Sequence, residues 1–180
     1  GFLEALNAPQ ETRAAIRQAV RACGPHPAVF AFNMANEIPA EIVRWSGART
    51  VQAFIDSLVA EAKSVDPDGL CTYANFPPTE YLQPQSVDFV SFNVYLHERR
   101  AFESYLARLQ MIADTKPLVL TEFGMDSLRE GAARQAEMLS WQIESAFREG
   151  LAGTIVFSFT DDWWRGGMPI TDWAFGLTTR

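Results

Sequence analysis

Strand-like apolar runs alternate with amphipathic helical segments along almost the whole chain. Five runs predict strands, at Ala28–Asn36, Leu70–Phe76, Phe89–Tyr95, Leu118–Phe123 and Thr154–Phe159. Four longer segments have helical spacing of apolar residues, at Gln10–Cys23, Ala48–Val65, Ala101–Ala113 and Ala132–Arg148, and a short helical turn is expected after Pro78. Regular alternation of this kind requires parallel strands joined by helical crossovers. The sequence therefore predicts an α/β fold.

Two α/β architectures fit this order: a doubly wound open sheet and a closed (β/α)8 TIM-type barrel. No glycine-rich phosphate loop follows any strand, whereas the strand ends carry polar groups, as they do in barrels with active sites. The chain has 180 residues, fewer than the roughly 250 of a whole barrel. We therefore predict an incomplete TIM-type barrel of five strands, which starts at barrel strand four and forms one domain over residues 1–180.

An incomplete barrel leaves an apolar edge strand on each side of its opening. Unpaired edges of this kind promote association with other chains. The sequence thus predicts that a further segment supplies the first three strands, or that a homo-oligomer covers the open edges.

Composition excludes several other functions. The net charge of −7 argues against a nucleic-acid partner, because a phosphate backbone requires a basic face. No apolar run approaches the roughly 18 residues of a membrane span, and the opening residues lack a signal-peptide pattern. Cys23 and Cys71 have neither metal-ligand nor redox spacing, so both are predicted to be buried thiols. No cofactor or metal site is predicted, and the compartment remains open.

Carboxylates, amides and aromatic rings lie at the predicted carboxyl ends of the strands. Glu37 and Glu122 follow two different strands, and glycoside cleavage uses two carboxyl groups of this kind. Amides suit sugar hydroxyls, and aromatic faces suit the apolar face of a sugar ring. The predicted substrate-binding residues are Asn36, Asn93, Tyr95, His97, Trp163 and Trp164. Among the tryptophans that could stack on a sugar, we favour these two over Trp45 and Trp173.

Three motifs resemble one enzyme family. "NMANE" at Asn33–Glu37, "FNVY" at Phe92–Tyr95 and "LTEFG" at Leu120–Gly124 are similar to the retaining (β/α)8 glycoside hydrolases, and most similar to the catalytic barrel of glycoside hydrolase family 2. The likeness covers nearly the whole chain, as barrel strands four to eight. It implies an oligosaccharide or polysaccharide substrate, a β-linkage and no cofactor.

The resemblance also implies roles for individual residues. Glu37 would be the general acid/base, and Asn36 would bind the hydroxyl beside the reacting carbon. Glu122 would be the nucleophile, and Tyr95 would contact it. The chain departs from the family at Phe157, where many members have tryptophan, and Trp163 or Trp164 is expected to replace that ring.

Geometry adds two expectations. Adjacent residues on a regular strand face opposite sides, so Asn36 and Glu37 can serve one pocket only if the strand breaks or bulges there. Two carboxyl groups about 5 Å apart cannot both ionise easily. We expect Glu122 to stay charged, held by donors such as the Tyr95 hydroxyl, while Glu37 keeps its proton until the leaving group takes it.

Alternative interpretations remain open. A transglycosidase would use the same chemistry with a glycan acceptor, and a non-catalytic barrel module would only bind glycans. A metal-dependent enzyme would use Asp161, Asp162 and Glu122, although loop caps or sugar hydrogen bonds fit the two aspartates better. Asn93 could instead satisfy backbone groups, and Glu98–Arg100 is expected to start a solvated loop.

Overall fold

A computed structural model describes residues 8–178. Its helices and strands follow the predicted alternation. The helices are α1 (Ala8–Cys23), α2 (Ala40–Ser46), α3 (Ala48–Lys63), α4 (Arg99–Ala113), α5 (Ser127–Glu130) and α6 (Ala132–Arg148), with a 3₁₀ turn at Pro77–Thr79. The strands are β1 (Phe32–Asn36), β2 (Cys71–Asn75), β3 (Val90–Asn93), β4 (Leu118–Phe123), β5 (Gly153–Val156), β6 (Trp164–Arg165) and β7 (Met168–Pro169).

The first five strands form one sheet in the order β1-β2-β3-β4-β5. The strands are parallel, as the β1–β2 and β4–β5 pairs illustrate. Sequential order is that of a TIM-type barrel, whereas a doubly wound sheet reverses its order at a switch point. The prediction of an α/β, TIM-type barrel is confirmed, and with five strands the barrel is incomplete. Residue contacts divide the chain into two units between Ser91 and Phe92, which are described separately below.

In the first unit, helix α3 packs on the strands through one apolar face. The side chains of this face recur at helical spacing, and all are buried: Val51, Ile55, Leu58, Val59 and Ala62. Phe54 is partly buried at the margin. Val20 from α1, Met34 from β1 and Tyr73 from β2 belong to the same core. The amphipathic pattern thus fixes which face of α3 meets the sheet.

In the second unit, helix α4 packs on β4, and helix α6 packs on β5 and on α4. Phe102, Leu106 and Leu109 of α4 are buried, as are Leu118 and Leu120 of β4. The two helices also share an ion network, in which Glu103 accepts hydrogen bonds from Arg99, Ser145 and Arg148. The hydrogen bond from Arg99, followed by that from Ser145, lowers the pKa of Glu103 to about 2.

Several sequence predictions need correction. Strand β1 starts at Phe32 rather than Ala28, and β5 ends at Val156 rather than Phe159. Cys71 is buried, and burial raises the pKa of its thiol, but Cys23 is exposed because it lies in the last turn of α1. Glu98 is the N-cap of α4 and accepts from the Arg100 and Ala101 amides, so this segment starts a helix and not a loop.

Between residues 8 and 178, no helix is both long enough and apolar enough to cross a membrane.

Candidate active site

Strand β1 ends in an irregular backbone at the predicted acid/base. The register with β2 shifts between Asn33 and Asn36, and Glu37 has a φ of 45°, a conformation that costs a non-glycine residue roughly 1–2 kcal/mol. The Glu37 amide still donates to the Ala74 carbonyl at 2.9 Å. The backbone therefore departs from a regular strand just before Asn36 and again at Glu37, which is the kind of irregularity that these two residues would need to face one pocket.

Tyr73 of β2 stabilises the segment that follows β1. We call the segment that follows a strand at its carboxyl end the exit of that strand. Its hydroxyl accepts a hydrogen bond from the Ile38 amide at 3.3 Å. The side chain is buried, and this burial raises the pKa of the Tyr73 phenol. A neutral phenol thus holds the backbone immediately after Glu37.

At the end of β4, the Tyr95 hydroxyl donates a hydrogen bond to Glu122 Oε2 at 2.8 Å. The Val94 amide donates to the Glu122 carbonyl at the same distance, so the segment that follows β3 is tied to Glu122 at two points. Tyr95 is 37% exposed, which leaves this pair accessible to a ligand. A hydrogen bond from a phenol favours the charged form of a carboxylate.

Two other predicted residues of the β3 exit have different environments. His97 Nε2 lies 3.2 Å from the Gly124 carbonyl; because a carbonyl only accepts, Nε2 carries the proton. Asn93 is only 1% exposed, and its Oδ1 accepts from the Thr121 hydroxyl at 2.8 Å. His97 is therefore at the surface of the β4 exit, whereas Asn93 lies beneath it.

The chain beyond β5 forms an aromatic cluster with Tyr95. Its members are Tyr95, Phe157, Trp163, Trp173 and Phe175, which we call the aromatic cluster. Phe157 lies 4.9 Å from Trp163 and 5.8 Å from Trp173 between ring centroids. Tyr95 meets Phe157 and Phe175 edge-on at 6.3 and 5.9 Å. Of the two tryptophans expected to supplement Phe157, Trp163 contacts that ring.

Trp164 lies instead on a separate two-stranded ribbon, β6–β7. It is 64% exposed and pairs in register with Pro169. The two predicted tryptophans thus serve different surfaces, one within the aromatic cluster and one on the ribbon.

Asp126 fixes the end of the chain against the β4 exit. Its Oδ1 accepts from the Ala174 amide at 2.8 Å and from the Leu128 amide at 3.0 Å. Its Oδ2 pairs with Arg129 at 3.2 Å, and the Ser127 amide donates to the Ala174 carbonyl at 2.7 Å. These bonds hold Trp173 and Phe175, on either side of Ala174, within the aromatic cluster.

Glycine is required where the two strand ends approach. A Cβ on Gly124 would lie 2.2 Å from the Phe157 carbonyl oxygen, closer than any tolerated contact. Gly124, two residues after Glu122, therefore allows the backbone beyond β5 to reach the β4 exit.

Two buried glutamines of α6 bind loops at these exits. Gln135 Nε2 donates to the Met125 carbonyl at 3.0 Å, and Gln142 Nε2 donates to the Leu96 carbonyl at 3.1 Å. Both face the same side of the helix, since they are seven residues apart. Sequence analysis missed Asp126 and both glutamines.

A pocket of about 500 Å³ opens beside the aromatic cluster. Phe157, Trp173 and Phe175 form its apolar wall. His97, Asp126, Arg129 and Glu130 provide the polar wall. Rings on one side and hydrogen-bonding groups on the other are what a sugar ring requires.

The residues considered for a metal site have other bonds. Asp161 Oδ1 accepts from the Gly176 amide at 2.7 Å, and Asp162 Oδ2 accepts from the Thr160 hydroxyl at 3.3 Å. Within residues 8–178, no group of three or more His, Cys, Asp or Glu side chains could hold a metal ion. Both aspartates thus stabilise loops.

The sequential parallel sheet places the protein in the class of TIM-type α/β barrels. Within this class, solved glycoside hydrolases have the same fold. A Bacteroides uniformis β-glucuronidase matches 97% of this chain with a TM-score of 0.79 and 18% identity, and 24% of that protein is covered. A putative β-galactosidase from Bacteroides fragilis matches 95%, with a TM-score of 0.72, 19% identity and 28% of its own length covered.

A family 2 β-galacturonidase from Eisenbergiella tayi matches 86% of the chain with a TM-score of 0.66 and 20% identity, and 30% of that protein is covered. The chain thus spans only about a quarter to a third of the length of these proteins. No protein-family model matches the sequence, and no curated protein matches it. The likeness to the family 2 catalytic barrel is confirmed as a likeness of fold.

Proposed function

We propose that the protein is a retaining glycoside hydrolase that cleaves a β-linked glycan by double displacement. Glu122 is the nucleophile and Glu37 the general acid/base. The observation that carries the proposal is the 2.8 Å hydrogen bond from the Tyr95 hydroxyl to Glu122, at the carboxyl end of a parallel strand, where TIM-type barrels perform catalysis. Acidic pairs at such ends, with aromatic rings nearby, fit glycoside cleavage better than metal chemistry.

In the first step, Glu122 Oε attacks the anomeric carbon while the bond to the leaving oxygen breaks. Glu37 gives its proton to that oxygen, and a covalent glycosyl-enzyme forms. In the second step, Glu37 takes a proton from water, which attacks the same carbon and releases Glu122. Tyr95 keeps Glu122 charged and oriented before attack. Asn36, His97, Trp163 and Trp164 are proposed to bind the glycan, whereas the buried Asn93 is proposed to support the β4 exit through its bond with Thr121.

A transglycosidase is the second candidate. It is supported by the exposure of Trp163 and Trp164, because exposed aromatic faces can hold an acceptor sugar. The intermediate would be the same, and a glycan hydroxyl would replace water in the second step. Product analysis with added oligosaccharide distinguishes the two reactions.

The experiment compares Glu122→Gln with Glu37→Gln in the full-length protein that carries this chain. Suitable probes are aryl β-glucuronides, β-galactosides, β-galacturonides and β-glucosides with good and poor leaving groups. Glu122→Gln should lose activity on every substrate. Glu37→Gln should keep the first step for good leaving groups, accumulate the intermediate and regain turnover with azide, which needs no base.

Glu137→Gln is the matched control, because Glu137 is an exposed carboxylate on α6 that pairs with Arg134. Its rates should equal those of the unchanged protein. Identical responses of the two test variants to leaving group and azide would refute the assigned roles. Glycan binding that persists without any cleavage would favour the non-catalytic binding module, and loss of activity on chelation would favour a metal enzyme.

The proposal also predicts a distance. In a crystal structure of a complete barrel, the carboxyl groups of Glu37 and Glu122 should lie about 5–5.5 Å apart, as in retaining enzymes. A separation of roughly 6.5–9.5 Å would indicate inversion and exclude the covalent intermediate.

A further inference from the structure

Trp173 lines two pockets in the second unit. The first is the pocket of about 500 Å³ beside the aromatic cluster. The second, of about 320 Å³, is formed by Trp173 together with residues 165 and 168–172. One indole side chain thus contributes to two neighbouring cavities.

The aromatic cluster connects the candidate nucleophile to this second pocket. Tyr95 binds Glu122 and meets Phe157, and Phe157 lies 5.8 Å from Trp173. Trp163 lies at the same distance from Trp173. The aromatic surface thus extends from Tyr95 as far as Trp173 at the border of the second pocket, and an exposed aromatic face there suits the apolar face of a further sugar ring.

The second pocket is bordered by the ribbon β6–β7. Gly166 and Gly167 form its turn, with φ values of 57° and 82°, and such two-residue turns need positive φ at both positions. The Ile170 amide donates to the Trp163 carbonyl at 2.8 Å. This bond ties the ribbon to the aromatic cluster and gives the pocket a defined edge.

The chemistry of the second pocket suits an uncharged, hydroxyl-rich ligand. Arg165 supplies hydrogen-bond donors and Asp172 supplies acceptors, and their charges balance. Met168 and Trp173 add apolar surface, and Arg165 and Met168 are both exposed. The pocket does not suit a phosphorylated or strongly anionic ligand, because the Asp172 carboxylate offsets the charge of Arg165.

We propose that the second pocket, which we call the ribbon pocket, binds a second sugar unit. The substrate is then an extended β-linked glycan and not a monosaccharide attached to a small aglycone. The inference rests on the proposed function, because the first unit of the same glycan would be cleaved at Glu122. Trp173 is the wall that both units share.

The test measures kcat/KM of the full-length protein on β-linked oligosaccharides of increasing length, together with an aryl monoglycoside of the same sugar. Each added unit that reaches the ribbon pocket should raise kcat/KM, by about tenfold in total. The double variant Arg165→Ala/Met168→Ala removes the facing pair of the ribbon and should abolish this gain. The control Arg134→Ala/Glu137→Ala removes an exposed ion pair of α6 and should preserve the gain.

Two results would overturn the inference: rates that do not depend on chain length, or a gain that survives the ribbon variant. If the protein cleaves nothing, calorimetric titration with a β-linked tetrasaccharide decides separately. Binding that weakens in the ribbon variant keeps the second sugar site and rejects the hydrolase. Absence of binding rejects the second sugar site.

Discussion

The exits of β1 and β4 each place a tyrosine hydroxyl near a candidate catalytic glutamate, but the two hydroxyls have opposite roles. At the β1 exit, Tyr73 accepts from the Ile38 amide and holds the backbone next to Glu37. At the β4 exit, Tyr95 donates to the carboxylate of Glu122 itself. One exit therefore fixes the backbone of its glutamate, and the other fixes the side chain.

This difference agrees with the chemistry proposed for the two residues. A nucleophile must stay ionised and aimed, so a donor on its carboxylate is useful. An acid/base must lose and regain a proton in each cycle, and a strong donor on its charged form would oppose reprotonation. Beside Glu37, the feature that stands out is the backbone itself, which has a register shift just before Asn36 and a φ of 45° at position 37.

The largest expected effect concerns the edges of the sheet. In the described part of the chain, β1 pairs with β2 and β5 pairs with β4, so each forms one edge of the five-stranded sheet. Apolar side chains such as Ile155 are exposed there. We predict that the 180-residue chain alone forms a homodimer or larger assembly, and light scattering should show at least a doubled mass.

The substitution Ile155→Lys should reduce this association, because charges block edge pairing. Met111→Lys is the matched control on the exposed surface of α4. A stable monomer at high concentration would contradict the prediction for both edges.

The next effect concerns Asp126, which clamps the β4 exit. Asp126→Ala leaves the Ala174 and Leu128 amides without their acceptor and should lower the free energy of unfolding by about 2–4 kcal/mol. Asp126→Asn keeps one oxygen for these amides and loses the pair with the exposed Arg129, so it should cost about 1 kcal/mol. Urea denaturation of the full-length protein measures both values.

Asp162→Ala provides the control for this clamp. Asp162 is exposed and accepts one long hydrogen bond from Thr160, so its loss should cost about 0.5 kcal/mol or less. Equal costs for Asp126→Ala and Asp162→Ala would show that the clamp contributes nothing to the β4 exit.

A smaller effect separates the two tyrosines directly. Tyr95→Phe removes a charge-assisted hydrogen bond worth about 1.5–3 kcal/mol, so kcat/KM should fall roughly 10- to 150-fold. The bond favours the charged carboxylate, and its loss should raise the pKa of Glu122. The acid limb of the pH–rate profile should therefore move to higher pH.

Tyr73→Phe should lower the stability of the protein and leave its pH–rate profile unchanged. Its 3.3 Å bond to a backbone amide is long, so the free energy of unfolding should fall by only about 0.5–1 kcal/mol. The acid limb of the pH–rate profile should stay in place. The exposed Tyr81 gives the control Tyr81→Phe, which should change neither quantity. A shifted acid limb in Tyr73→Phe, or none in Tyr95→Phe, would remove the distinction between the exits.

Sequence patterns predicted the regular elements better than the loops around them. The bounds of β4 and α6 match the prediction residue for residue. For α6 the reason is a long apolar period that lies between Gly131 and Gly150. Helix α2 was missed because it has seven residues and buries only Val43. So short a segment shows no period. The ribbon was missed although Gly166–Gly167 is a hairpin signal.

The candidate site shows the same limit. The strand-end glutamates and Tyr95 could be named from motifs, whereas the residues that orient them could not. Asp126 followed by a short helix is a capping pattern, and it could have been recognised. Gln135 and Gln142 give no such signal, because buried glutamines on an apolar helix face depend on which loop carbonyls the fold brings to them.

The smallest predicted effect compares the backbone conformations of the two glutamates. At position 37, φ is 45°, a region that glycine enters freely and alanine does not. Glu37→Gly should therefore be more stable than Glu37→Ala by about 0.5–1 kcal/mol. Glu122 lies within β4, where glycine loses more backbone entropy, so Glu122→Gly should be less stable than Glu122→Ala by about the same amount.

Comparing glycine with alanine at each position isolates the backbone, because both substitutions remove the same carboxylate and its hydrogen bonds. The four variants should be measured together by urea denaturation of the full-length protein, with common slopes as the check on two-state unfolding. Opposite signs at the two positions are expected if a left-handed backbone orients Glu37 and an extended strand backbone carries Glu122, although the β4–β5 register also shifts between Leu120 and Phe123. The same sign at both would mean that the β1 exit relaxes without strain, and the orientation of Glu37 would then have to come from its side-chain contacts.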